Sequence, residues 1–266
     1  MSDDRPRSPE AAQFEIVLDE LRGLLADFTT IGVGAMLIGG QVLALEGKAA
    51  GGDGVIEVRT PTDVVIQRGF SMEPDLLFDV DEAAPRVDAI VDILKRRHFK
   101  RVTTYRWAKA TAAGDVLLDL FMPPDADDAN NPAGFTRLPK GDVALLRPRT
   151  VQVRLASGVL SVAVPDPVGF LAMKLEAKLR LRPTATKDAF DIYAYVTMKG
   201  ASVVRSALRS DLVDGPCILQ HLTVLFGAVD AAGVVDVLAY ADTLGGDERA
   251  LVARAVVDLF EDVTAA

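Results

Sequence analysis

The chain has 266 residues, half of them apolar and a quarter charged, which is enough for two globular domains with real cores. A net charge of −9 argues against general nucleic-acid affinity, so DNA is not an expected partner; the longest apolar stretch, 31–47, is broken by five glycines, a glutamine and a glutamate and is unfit to span a bilayer. The single cysteine, Cys217, excludes a disulfide within the chain and fits a reducing cytoplasm, as does a polar N-terminus lacking the basic-then-apolar order of a secretory signal.

Residues 1–10, MSDDRPRSPE, read as a disordered leader. After Ala11, apolar residues at Phe14, Val17, Leu18, Leu21, Leu25 and Phe28 follow a helical period. AMLIGGQVLAL reads as an apolar strand or turn that passes through Gly39-Gly40 into a short helix. The flexible GKAAGGDG precedes a strand, VIEVR, and TDVVI continues it, with Asp63 expected on the strand face of Val65 and Gln67. RVDAIVDILKRRHF is an amphipathic helix with Val87, Ile90, Val91 and Leu94 on one side. KRVTTYRWAK and DVLLDLFM are strand-like and joined by the turn-forming TAAGD, and PPDADDANNPAGF is loop. The segment 143–165 suggests further short strands with a hairpin at Ser157-Gly158. After Pro165 the texture changes to helices, broken at Pro183 and around Gly200 and Gly215. The order predicts an α+β domain over 11–165 and a helical C-terminal domain over 166–266.

Asp119 is the most informative single residue. It shares a strand face with Asp115, Leu117 and Phe121, and a carboxylate inside such a strand is costly unless exposed, protonated, paired or metal-bound. Two readings stand: a strand-end aspartate reaching water, or a site carboxylate. Asp63, beside Arg59 and Thr62, is either a turn residue or a second site carboxylate. Gly39 and Gly40 suit a tight turn, and equally a close approach of the backbone to a phosphate at a helix N-terminus.

Asp166-Pro167 is a good helix start. Lys174, Lys178 and Arg182 then recur at helical spacing beside the stripe Leu171, Leu175 and Leu179. Thr186 suits the cap of a second helix carrying Lys187, Asp188 and Asp191 in its first turn and a half. These charges form either a solvated, dipole-complementing face or a polyphosphate site. His98 reads as structural, His221 and Cys217 lack metal-ligand spacing, and the acidic cluster Asp125, Asp127 and Asp128 reads as solvated loop. There is no Walker loop and no dinucleotide fingerprint.

In order, MLIGGQVLAL, RTPTDVVI, VLLDLF, KLEAKLRLR and KDAFDIYAY resemble the motifs of the nucleotidyltransferase superfamily that includes polymerase beta, in particular its AbiEii/MenT-type bacterial toxin branch. Those motifs run hhGGxAL, R-x-T-x-D-h-D-h, hhDhh, K-x-x-A-x-x-x-R and KDxxDh. The resemblance implies a mixed sheet flanked by helices, with a helical C-terminal domain completing a nucleotide cleft. It implies magnesium on Asp63 and Asp119, with Asp119 also a candidate general base. Gly39, Gly40, Arg59, Lys174, Lys187, Asp188 and Asp191 would surround a nucleoside triphosphate, with RNA, a protein or a small alcohol as acceptor and an antitoxin as partner. The pattern has a carboxylate where this chain has Val65, which implies a weakened metal site and, as the alternative, a catalytically degenerate member that binds or regulates. A third reading sets the resemblance aside, making the charged helices a dimer or partner interface.

Overall fold

A computed structural model describes residues 8–112, 114–124 and 134–265. The acidic cluster 125–128 and most of the leader lie outside the described residues. The chain divides into two compact units: 1–54 with 70–164, and 55–69 with 165–266. The segment 55–69, which the sequence assigns to the first domain, belongs to the second unit.

The chain begins with helix α1, Pro9–Thr30, two residues earlier than expected, because Ser8 caps it by accepting from the Ala11 N–H and Pro9 occupies its first position. Strand β1, Ala35–Ile38, turns at Gly39 into α2, Gln41–Ala49. A hairpin follows, β2, Ile56–Arg59, and β3, Val65–Gly69. Next come β4, Asp75–Phe78; the short α3, Val80–Ala83; α4, Val87–Arg96; β5, Lys100–Arg101; β6, Arg106–Thr111; and β7, Gly114–Met122. The first unit closes with β8, Thr136–Arg137; α5, Gly141–Leu145; β9, Pro148–Leu155; and β10, Gly158–Pro165.

In the first unit one mixed sheet runs β5-β6-β7-β4-β1-β10-β9, with β8 beside β7. Strand β1 is antiparallel to β4 and parallel to β10, while β7 is parallel to β4 and antiparallel to β6. Side chains alternate across these strands. Val116, Leu118, Leu120 and Met122 of β7 are all buried, whereas Asp115, Leu117, Asp119 and Phe121 form the less covered face. Helix α1 buries Phe14, Val17, Leu18, Leu21, Leu24 and Phe28, and Phe28 meets Phe78 of β4 edge to face. Helix α4 buries Ile90, Ile93 and Leu94; it ends at His98, whose backbone is left-handed (φ 66°), the geometry that stops a helix.

Among its described residues the second unit holds the β2–β3 hairpin and six α-helices. Helix α6, Pro167–Glu176, starts on Asp166, which accepts from the Gly169 N–H at 2.9 Å. It loosens into a π-helical turn, Ala177–Leu181, before α7, Thr186–Lys199. Then come α8, Ala201–Ser210; α9, Gly215–Phe226; α10, Ala232–Leu238; and α11, Gly246–Thr264. Helix α7 is buried continuously from Asp188 to Val196, as a central helix must be, and packs against β2, α6, α8, α10 and α11. Phe170 stacks on Tyr195 at 4.0 Å and Phe226 on Phe260 at 3.9 Å.

Tyr193 is buried in α7, and that burial pushes its phenol up to about 12 against a smaller opposing effect of Thr197. The unfolded chain loses this proton near pH 10 while the folded chain keeps it, so stability falls as pH rises from about 10 to 12. In urea titrations across that window, Tyr193→Phe is expected to remove up to roughly 2.7 kcal/mol of the alkaline loss.

Candidate functional site

Between β1 and β7 lies β4, and this decides where carboxylates gather. Ile38 of β1 lies opposite Asp75 of β4, Asp75 opposite Asp119 of β7, and Asp119 opposite Arg106 of β6. Paired residues share a face about 4.8 Å apart, so Asp75, Asp119 and Arg106 form one row on the less covered side of the sheet. At the end of β1 the chain turns through Gly39, with φ 74°. A Cβ added there would lie 2.3 Å from Asp75 Oδ2, so the turn passes directly over the carboxylate and only glycine fits. Gly40 caps α2, and Gln41, fully buried at the start of that helix, donates to the Ser71 carbonyl at 3.0 Å. That bond ties the helix start to the segment leading into β4.

Asp119 is 5% exposed. Both its oxygens are engaged by Arg106, Nε to Oδ1 and Nη2 to Oδ2, each at 2.7 Å. The same Nη2 donates to Glu73 Oε2 at 2.9 Å. The hydrogen bond to Asp119 is the main reason the guanidinium is held above its ordinary range; burial opposes it, and Asp119 and Glu73 add charge attraction. The costly mid-strand carboxylate is therefore paired. Glu73, Asp75 and Arg106 are site residues that the motif comparison does not reach, although SMEPDLLF carries Ser71, Glu73 and Asp75 at the same T-x-D-h-D spacing as the motif matched to RTPTDVVI.

Asp63 is placed differently from the expectation. It is not on a strand, because β3 begins only at Val65. It occupies the hairpin turn with φ 65°, its N–H donating to the Thr60 carbonyl, a conformation aspartate tolerates better than most residues. Its side chain is 84% exposed and pairs with Arg59 at 2.7 Å. Asp63 and Arg59 belong to the second unit, Asp119 to the first. Val65 and Gln67 point to solvent while Ile66 is buried, so Val65 lines no carboxylate site in its own hairpin.

In the second unit the structure brings Lys174, Asp188 and Asp191 together. Lys174 is 6% exposed; its Nζ donates to Asp188 at 3.1 Å and to Asp191 at 2.5 Å. Arg182 pairs with Asp188 at 2.9 Å and Arg68 with Asp191 at 2.9 Å, so three cations enclose two buried aspartates. Burial is the largest influence on the Lys174 amine and pulls its pKa down, but Asp191 and Asp188 outweigh it and the net shift is upward. Lys178 is buried as well, bound to the Pro183 carbonyl and to Asp236. Neither lysine shows the solvated face that the spacing allowed, because α6 gives way to the π turn before Arg182 and the charges turn inward. Lys187 is exposed. Thr186 opens α7 as its first residue, with Ala185 at the cap position, and its hydroxyl bonds Tyr240.

Cys217 and His221 lie one turn apart on α9, Sγ to Nδ1 3.7 Å. Among the described residues no three ligand-type side chains converge to hold a metal ion unaided, and no helix is long and apolar enough to cross a membrane.

No family model matches the chain, and no curated protein matches it. Among solved structures, an antigenic nucleotidyltransferase-like protein from Paracoccidioides brasiliensis is similar over 90% of this chain and 91% of that one, at 13% identity and a TM-score of 0.41. A likeness that loose places no residue, and the site stands on its own geometry.

Proposed function

We propose that the chain is a nucleotidyltransferase-fold protein that binds a nucleoside triphosphate with magnesium. The observation that carries this reading is the Gly39 turn lying against Asp75, in the same row as Asp119. A bare glycine turn opening a helix suits a phosphate group, and the carboxylates beside it suit the cation that accompanies one. Magnesium fits the donors: they are hard oxygens, and this ion is commonly held by one or two carboxylates, with substrate phosphates and water completing its shell. Asp75 and Asp119 would hold it; when bound it supplies charge neutralisation on the triphosphate. The chemistry is assigned to the first unit. Asp119 is the candidate base for an acceptor hydroxyl, which attacks the α-phosphorus as pyrophosphate leaves. The motif order shared with AbiEii/MenT-type toxins extends the proposal to an RNA, protein or small-molecule acceptor and to an antitoxin partner.

A second reading, a catalytically degenerate nucleotide-binding or regulatory protein, is favoured by Arg106, which already engages both oxygens of Asp119. Calorimetric titration with ATP, GTP, CTP and UTP, with and without magnesium, separates the two. Binding that needs magnesium is the expected result. Equal binding without magnesium favours the second reading, and no binding of any nucleotide overturns both.

A further inference from the structure

We infer that Arg106 is a tethered counter-ion that a divalent metal must displace, so that Arg106 and the metal occupy Asp119 in turn. The inference rests on the metal role proposed above for Asp75 and Asp119. The guanidinium spans the two oxygens of Asp119 in a two-pronged pair and reaches Glu73 with the same terminal nitrogen. Fork-to-carboxylate pairing of this kind is among the stronger hydrogen-bonded arrangements in proteins. It is also local: Arg106 and Asp119 face each other across neighbouring strands, so the pair forms whenever the sheet does.

A doubly charged cation on Asp119 would stand within a few ångströms of the guanidinium. Beside a carboxylate as buried as Asp119, water screens that repulsion poorly. Release has a path, because the Arg106 side chain is 31% exposed while that of Asp119 is 7% exposed. The carboxylate is the buried partner and the guanidinium the one open to water. Once displaced, the guanidinium keeps a planar fork that matches phosphate oxygens as well as it matches a carboxylate. In the resting protein, then, Arg106 holds Asp119 oriented through both oxygens, and the affinity for metal reports the competition between the two cations.

The test is manganese binding to the full-length protein, read from the spectrum of free Mn²⁺ by electron paramagnetic resonance. The specific site is defined as the binding lost in Asp119→Asn. Arg106→Gln is expected to bind Mn²⁺ roughly tenfold or more tightly than the wild type, since the competing cation is gone. A purely structural role for Arg106 predicts the opposite, weaker binding as the carboxylates lose their partner. A second measurement uses the wild type alone: the Arg106 Nε–H nuclear magnetic resonance signal, identified by its absence in Arg106→Lys, is expected to shift as Mg²⁺ is added. Unchanged or weaker Mn²⁺ affinity in Arg106→Gln, with an Nε–H signal unmoved at saturating Mg²⁺, overturns the inference and leaves the metal site standing. Failure of both proteins to take up Mn²⁺ overturns the metal site, and the inference falls with it.

Discussion

Asp75→Asn will weaken magnesium-dependent nucleotide binding by about 100-fold or more, the scale expected when a carboxylate is lost from a magnesium site that has few protein ligands. Asp75 sits between Ile38 and Asp119 in the sheet, under the Gly39 turn, and asparagine keeps its shape while removing its charge. Asp63→Ala will leave that binding unchanged. Asp63 is an exposed turn residue whose one ion pair, with Arg59, is solvated on both sides and therefore worth little. Calorimetry on the two variants, with circular dichroism to confirm folding, decides the matter. The reverse pattern, with nucleotide binding lost in Asp63→Ala and unaffected in Asp75→Asn, returns the site to the hairpin.

Lys174→Ala will destabilise the protein by about 3–5 kcal/mol, because it leaves Asp188 and Asp191 buried without the amine that joins them. That is a large fraction of the stability of a typical domain. The upward shift of the amine fixes the pH range: the pair is intact below the unfolded lysine value near 10.4, and its contribution is lost as pH climbs through the higher folded value. Urea denaturation at pH 7, followed by far-ultraviolet circular dichroism, measures the effect. Unchanged stability with a loss of nucleotide affinity would mark Lys174 as a phosphate ligand instead. Lys174→Met, which fills the space with an apolar chain, is expected to recover little of the loss, since Asp188 and Asp191 keep Arg182 and Arg68 but lose the amine between them.

The amino-acid sequence alone determined the local features of the protein: the Gly39-Gly40 turn from strand to helix, the Asp166-Pro167 helix start, the strand position of Asp119, and the placing of Lys174 on one helix and of Asp188 and Asp191 on the next. Each depends on backbone preferences and on 3.6- or two-residue periodicity over a few neighbouring residues. Tertiary structure alone decided which strand lies beside β1. RTPTDVVI and SMEPDLLF both offer an acidic residue before an apolar run, and local propensity ranks neither above the other. Pairing chose the second, leaving the first as a hairpin in the other unit. Strand pairing is a contact between segments distant in the chain, selected by which face each segment can bury, so no short window contains it. The same holds for Arg106, an ordinary strand residue until register sets it across from Asp119, and for the burial of Lys174, which depends on how far α6 runs before the π turn.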